Sequence, residues 1–557
     1  MLRVLRVLLV GPALRALAER LPRALCPPSR HRRGNIMGVI YSDYSRARIG
    51  WFFGLSGWQL ATVALSFLPV AWAMQQTAWT SVALFTLLWA FIVLVTVTPV
   101  RGRSATGWIL ASLSFAVGGL AGWTRFRSKA STGEADSLEE PDLPGVLHGV
   151  RIHDGPPRGA MSTRTAIIQD HRCRTWALTA SVIHPGIGLA ELDQRERLGA
   201  GLGELLDLSA RTELIDAVVF LVRTVPEDGA ERDQWIARHR RATGPQASRQ
   251  VNDELQANLT RASVRTEAFV TFVVPEGRLA REAKESGGGL DGRARVLYSL
   301  ADELEAQLRG GMGMTSVAWL TSPELALACR TGFAPGDRAG IIDALAGRDT
   351  GTNPNTTAEA TATSQSNPAT NPGINADVPW AMAGPSGADP AVRHYSHDAW
   401  NSISSTVKLP VRGAAMGALA PALTPAAPGE RRSFMVCYPI LTPSVANRQS
   451  ATSEWAADIG DELRHRAKVK KRAKASDESE KVRRLDAKLA RGNSLTRPYA
   501  VVTVTVPKTA RVSAFGRDLD ASVRRAGFAP LRLDLAQDVA FAASTVPLGV
   551  SLTRRAD

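Results

Sequence analysis

The stretch "RHYSHDAW" places His394, His397 and Asp398 within five residues of one another. Imidazoles with a carboxylate are the groups that hold a divalent metal or move a proton near neutral pH. Their spacing argues against both uses. Side chains alternate along a strand, so His394 and His397 fall on opposite faces, and no HExxH or further ligand group stands nearby. The cluster reads as structural, and His148 and His153 are as isolated.

Phosphate chemistry is no better supported. A nucleoside triphosphatase needs GxxxxGK[ST], because backbone amides and a Lys must surround the phosphates. "SGGGLDGR" (Ser286 to Arg293) and "RGGMGMTS" (Arg309 to Ser316) have glycines without that Lys and read as turns. "GAGLGEL" (Gly199 to Leu205) sits inside a helical pattern instead of following a strand, so it is no dinucleotide fingerprint, and no GxSxG elbow occurs. Cys26, Cys173, Cys329 and Cys437 lie more than a hundred residues apart, which excludes a zinc ribbon and suits a reducing compartment. No catalytic, metal or cofactor residue is assigned, and the expectation is a protein that is not an enzyme.

Charge is the stronger signal. The chain carries 67 Lys and Arg against 52 Asp and Glu, a net of +15, which fits an anionic membrane surface or nucleic acid. About half of that excess lies in "RHRAKVKKRAKASDESEKVRRLDAKLAR", Arg464 to Arg491, with twelve basic residues against four acids. Arg464, Arg466, Lys468, Lys470, Lys471, Arg472 and Lys474 are the candidate contacts for lipid phosphates or a partner. Aromatics that would stack on bases are missing, which leaves direct DNA contact open and poorly supported.

These residues need an anchor and a body. A span of about 20 apolar residues crosses the hydrocarbon core. "WFFGLSGWQLATVALSFLPVAWAM" (Trp51 to Met74) and "WTSVALFTLLWAFIVLVTVTPV" (Trp79 to Val100) both qualify, and only Gln75, Gln76, Thr77 and Ala78 separate them. Trp51, Trp72 and Trp79 sit at the ends, where indole favours the interface. Arg46 and Arg48 precede the pair and Arg101 and Arg103 follow it, so both termini and the large domain are expected on the cytoplasmic side of the cell membrane. The Gly- and Ser-rich stretch from Ala105 to Trp123 reads as an interfacial helix. Residues 1–36 read as a disordered lead or an extension ahead of a start at Met37, and 37–130 as the membrane hairpin with its interfacial helix.

Beyond residue 164 strand-like and helix-like runs alternate, which predicts an α/β (α+β) body. Residues 164–346 form a first unit. Residues 347–390, rich in Thr, Asn, Pro and Ala, read as a disordered insertion. A second unit covers 391–550 and includes a long basic helix. "AFVTFVVP" (Ala268 to Pro275) is echoed by "YAVVTVTVP" (Tyr499 to Pro507), each followed by a helix and a short strand, so the two units read as related split-βαβ subdomains.

Several pieces together resemble one family, the actinobacterial two-span membrane proteins of conjugation and type IV secretion gene clusters. They are "YSDYSRARIGWFFGLS", "RGRSATGWILASL", "SVAWLTSPELALACRTGF", "RHYSHDAW" and the closing "LRLDLAQDVAFAASTVPLGV". The soluble part of that family resembles the amino-terminal domain of conjugation ATPases without the motor. The motif residues are His394, Tyr395, Asp398, Gln537, Phe541, Pro547 and Gly549; Ser396 stands where members often carry Arg. The resemblance implies a non-enzymatic scaffold in an oligomeric complex with a separate secretion ATPase, other membrane secretion subunits and membrane lipid. A type VII secretion core membrane subunit and a membrane-anchored enzyme of lipid or cell-wall metabolism are the alternatives.

Overall fold

Val and Thr crowd "YAVVTVTVP" and "AFVTFVVP", and such β-branched runs suit a pleated, half-buried surface. Both are central strands of one sheet in the computed structural model. The structure describes residues 40–41 and most of 57–552. Residues 1–39, 42–56, 343–377, 447–472 and 553–557, much of 227–242 and some shorter stretches fall outside the described residues, and with them the lead at 1–36 and most of the insertion.

Among the described residues, thirteen strands make the sheet. They are β1 (Phe126–Arg127), β2 (Val150–Arg158), β3 (Thr163–Asp170), β4 (Thr175–Ile183), β5 (Ala217–Pro226), β6 (Val264–Pro275) and β7 (Ser316–Trp319), then β8 (Gly387–Pro390), β9 (Tyr395–His397), β10 (Trp400–Lys408), β11 (Arg431–Pro439), β12 (Tyr499–Pro507) and β13 (Ala529–Arg532). Their order is β1-β8-β9-β10-β12-β11-β5-β6-β4-β3-β2, with β7 beside β4 and β13 beside β10, and every pairing is antiparallel. The chain is thus a mixed α/β protein built on one large antiparallel sheet.

The sheet starts ahead of residue 164 and takes in part of the stretch assigned to the insertion. Gly155, Pro156 and Pro157 hide β2 from a strand pattern. Ala388 in β8 pairs with both Phe126 and His397, so residues 387–390 are held as sheet despite their loop-like composition.

Helices cover both faces because alternate strand residues are apolar on both. Val218, Val270 and Phe272 pack under α4 (Leu192–Arg211) and α7 (Gly289–Gly310), while Val502, Val504 and Val506 pack under α10 (Val512–Arg525). On the opposite face Val219, Leu221, Met435 and Val501 pack under α8 (Ser322–Phe333) and α11 (Gln537–Thr545). Two further helices, α5 (Gln246–Ala262) and α9 (Ala473–Ala490), are carried by the β5–β6 and β11–β12 connections.

Three apolar helices precede the sheet: α1 (Gly57–Gln75), α2 (Trp79–Val97) and α3 (Ala105–Leu120). Trp89 Nε1 donates to the Val63 carbonyl at 3.1 Å, and the Phe67 and Trp89 rings meet at 5.4 Å, so α1 and α2 pack against each other. The stretch Trp79–Thr96 is long and apolar enough to cross a bilayer and is almost wholly uncovered. Pro69 lies inside α1, and α3 has 16 residues, short of a span.

At the start of α8, Glu324 Oε2 accepts from the Thr321 backbone N–H and hydroxyl, each at 2.9 Å, and Thr321 caps the helix in return. Thr321→Ala is expected to lower stability by about 1 kcal/mol, read as an earlier denaturant midpoint with an unchanged slope.

Candidate functional site

Three arginines interrupt otherwise apolar strands, in "AVVFLVRTV" and "RRSFMVCY"; Arg432 pairs with Glu430 at 2.6 Å, and the other two meet in one place. A guanidinium in such a place must be partnered within the protein, since burying it alone is prohibitive. Arg223 of β5 and Arg431 of β11 are each about 1% exposed, at the line where the two halves of the sheet meet. Arg223 lies opposite Ser433 across the β5–β11 ladder, and Arg431, two residues from Ser433, shares its face.

Both side chains point at helix ends. Arg223 Nη1 donates to the Ala328 carbonyl at 2.8 Å and to the Thr545 carbonyl at 3.0 Å, and its Nη2 reaches the Thr331 hydroxyl at 3.1 Å. Arg431 donates to the Thr331 carbonyl at 2.6 Å, to the Gly332 carbonyl, and to the Thr505 hydroxyl. These carbonyls close the last turns of α8 and α11, the negative ends of both helix dipoles. Gly332 permits the approach, because a Cβ there would lie 3.1 Å from Arg223 Nη1 and 3.2 Å from the Thr545 carbonyl.

The nearest carboxylate is Glu267 on β6, directly opposite Arg223 and accepting from its Nε at 2.7 Å. Burial raises the Glu267 pKa, but Arg223, Arg265 and Arg338 outweigh it, and the carboxyl is held below its ordinary value. Burial, and then the charge of Arg223, push Arg431 down to about 9 while Glu267 opposes them, so it remains a cation at neutral pH.

Hydroxyl pairs extend the polar seam. Ser402 bonds Thr505 at 2.7 Å, Ser404 bonds Thr503 at 2.7 Å, Thr503 bonds Ser544 at 2.6 Å, and Thr179 bonds Thr271 at 2.9 Å. Each satisfies a buried group that would otherwise destabilise the fold.

Most of the motif residues flagged in the sequence converge here. Phe541 packs 4.4 Å from His397 and 5.2 Å from Tyr395 by ring centroids. Gln537 accepts from the Ser404 N–H at 2.7 Å and donates to the Ser404 carbonyl at 3.1 Å, standing in for a missing strand between β9 and β13. The Pro547 carbonyl accepts from the Thr179 hydroxyl at 2.9 Å. Gly549 has φ +71°, and a Cβ there would lie 3.0 Å from both Thr271 and Val273. Asp398, at φ +44°, faces away from the seam, accepting from the Ser386 N–H at 2.7 Å and from Arg330 at 3.1 Å. His394 is half-buried and apart from the seam, its carbonyl accepting from Ala391.

His397 Nε2 lies 2.8 Å from the Ser402 hydroxyl, the geometry of a base beside a nucleophile. Both are wholly buried, Asp398 does not orient the ring, and burial together with Arg431 keeps the imidazole neutral. The pair therefore contributes cohesion. Among the described residues no group of three His, Cys, Asp or Glu converges on one point. Lys474 lies in α9, and Arg464, Arg466, Lys468, Lys470, Lys471 and Arg472 lie outside the described residues. No protein-family model matches the chain, and no curated protein does either.

Arg223→Met removes the closest counter-charge of Glu267 and is expected to lower stability at pH 7 by about 3 kcal/mol. Glu267 has a depressed folded pKa, so its stabilisation is present above the ordinary carboxylate range and fades as pH falls through the folded value. Melting temperatures of the two proteins should therefore converge on acidification; a gap that stays constant from pH 7 to pH 3 would contradict the assignment.

Proposed function

We propose that the chain is a non-enzymatic, membrane-anchored scaffold of a conjugative or type IV-like secretion complex, docking a separate ATPase at the cytoplasmic face. The observation that carries this reading is a bare apolar helical segment joined directly to a body whose buried polar side chains are consumed in holding its layers together. A body of that kind supplies surface and rigidity. In this reading α1 and α2 form a two-span hairpin, α3 lies along the interface, and both termini and the body are cytoplasmic.

The two halves are read as related split-βαβ units. In the first, β6 lies between β4 and β5, and β4 between β6 and β7; in the second, β12 lies between β10 and β11, and β10 between β12 and β13. That shared order supports a duplicated unit joined through β5 and β11. The motif residues, Gln537 above all, and His397 beside them then serve assembly and not turnover.

In membranes from native cells the full chain should resist alkaline carbonate extraction, and deleting residues 57–97 should release the body. Extraction of the intact chain by carbonate would contradict the anchor. His397→Ala is expected to reduce the amount of assembled complex without altering any turnover measured per complex.

A further inference from the structure

The backbone is paired with the body both ahead of the apolar helices and after them. Ahead of them, Ile40–Tyr41 runs antiparallel to Ala414–Ala415, with Ile40 opposite Ala415 and Tyr41 opposite Ala414. Ala414 packs against the cluster of Ile403, Val502 and Val504 under α10, so this short ladder belongs to the second half of the body. After the helices, Phe126 pairs with Ala388 and Arg127 with Gly387, and the Ser128 N–H donates to the Ser386 carbonyl at 3.0 Å. That ladder lies in the second half as well.

A stretch of chain that leaves and rejoins one body on one side of a bilayer crosses it an even number of times. Among the described residues α2 carries the stretch long and apolar enough to cross, so one further helix has to cross with it. With 19 residues α1 is about 28 Å long, whereas the 16 residues of α3 give about 24 Å against a hydrocarbon core of about 30 Å. Pro99–Val100 and Arg103–Ser104 pair antiparallel between α2 and α3 and turn the chain back where α2 ends. The partner of α2 is therefore α1, and α3 begins and ends on the side of the body.

We propose that Ile40–Tyr41 is a clamp strand, which with the pairing of Phe126–Arg127 fastens both ends of the membrane unit to the second half of the body and fixes the number of crossings at two. The inference rests on the membrane reading above and adds to it a contact within the chain that the flanking charges do not imply. A hairpin held at both ends follows any displacement of the second half, as one held at a single end would not.

The test uses the full chain with Cys26→Ser and Cys173→Ser, in sealed right-side-out membrane vesicles from native cells. Mild oxidation should join Tyr41→Cys to Ala414→Cys within one chain, read by mass spectrometry of the linked peptides. Linkage should fall about tenfold when the exposed Ser137→Cys replaces Ala414→Cys, because a disulfide needs Cα atoms within about 7 Å. An impermeant maleimide should label Gln76→Cys directly and Ala121→Cys only after permeabilisation. Absence of linkage in vesicles that label at Gln76→Cys overturns the clamp alone. Linkage found only between two copies, or direct labelling of Ala121→Cys, overturns it too. A chain that carbonate extracts from the vesicles overturns the membrane reading and this inference with it.

Discussion

A guanidinium buried in a sheet has to find its partners inside the protein, and the rest of this fold is arranged around two of them. Arg223 comes from the first half and Arg431 from the second, and together they bond carbonyls at the ends of α8, again from the first half, and α11, from the second. Neither half contains all the partners its own arginine uses or supplies. Desolvating each charge costs several kcal/mol, and a single carboxylate cannot offset two cations. Helix-end carbonyls complete the balance, since charge-assisted bonds are shorter and stronger than neutral ones. Residues that look unrelated in sequence are tied to this requirement: Gly332 leaves room, Thr331 and Thr505 supply oxygens, and Glu267 sits opposite Arg223.

The same constraint sets how the body meets its surroundings. With α8 and α11 held on one face and α4, α7 and α10 on the other, both faces of the sheet are covered. The connections between strands leave from the two ends of the sheet. One end sends out the connection with α5 and the other the connection with α9. The polar seam around Arg223 and Arg431 is sealed from solvent.

Much of the sheet was legible because its strands follow simple chemistry. "YAVVTVTVP" and "AFVTFVVP" have few competing conformations, and Thr321 with Glu324 announces the start of α8. Strands with irregular composition escaped: β2 carries two prolines, while β1 and β8 are so short that their partners define them. The site was half visible. Gln537, Phe541, Pro547 and Gly549 were singled out by resemblance, without any hint that they share a seam with Tyr395 and His397. Arg223 and Arg431 belong to no motif, although a lone charge within a run such as "AVVFLVRTV" is itself a signal that a buried partner exists. That the partners are carbonyls two helices away depends on tertiary packing, which no local pattern encodes.

Capture of the partner tests the scaffold claim most directly. Full-length tagged protein would be isolated from its native cells in mild detergent, and the co-purifying proteins identified by mass spectrometry. The account predicts recovery of an ATPase with an intact phosphate-binding loop together with membrane subunits of a conjugative or type IV-like system. Recovery of type VII secretion components, or of lipid-metabolic enzymes alone, would contradict it.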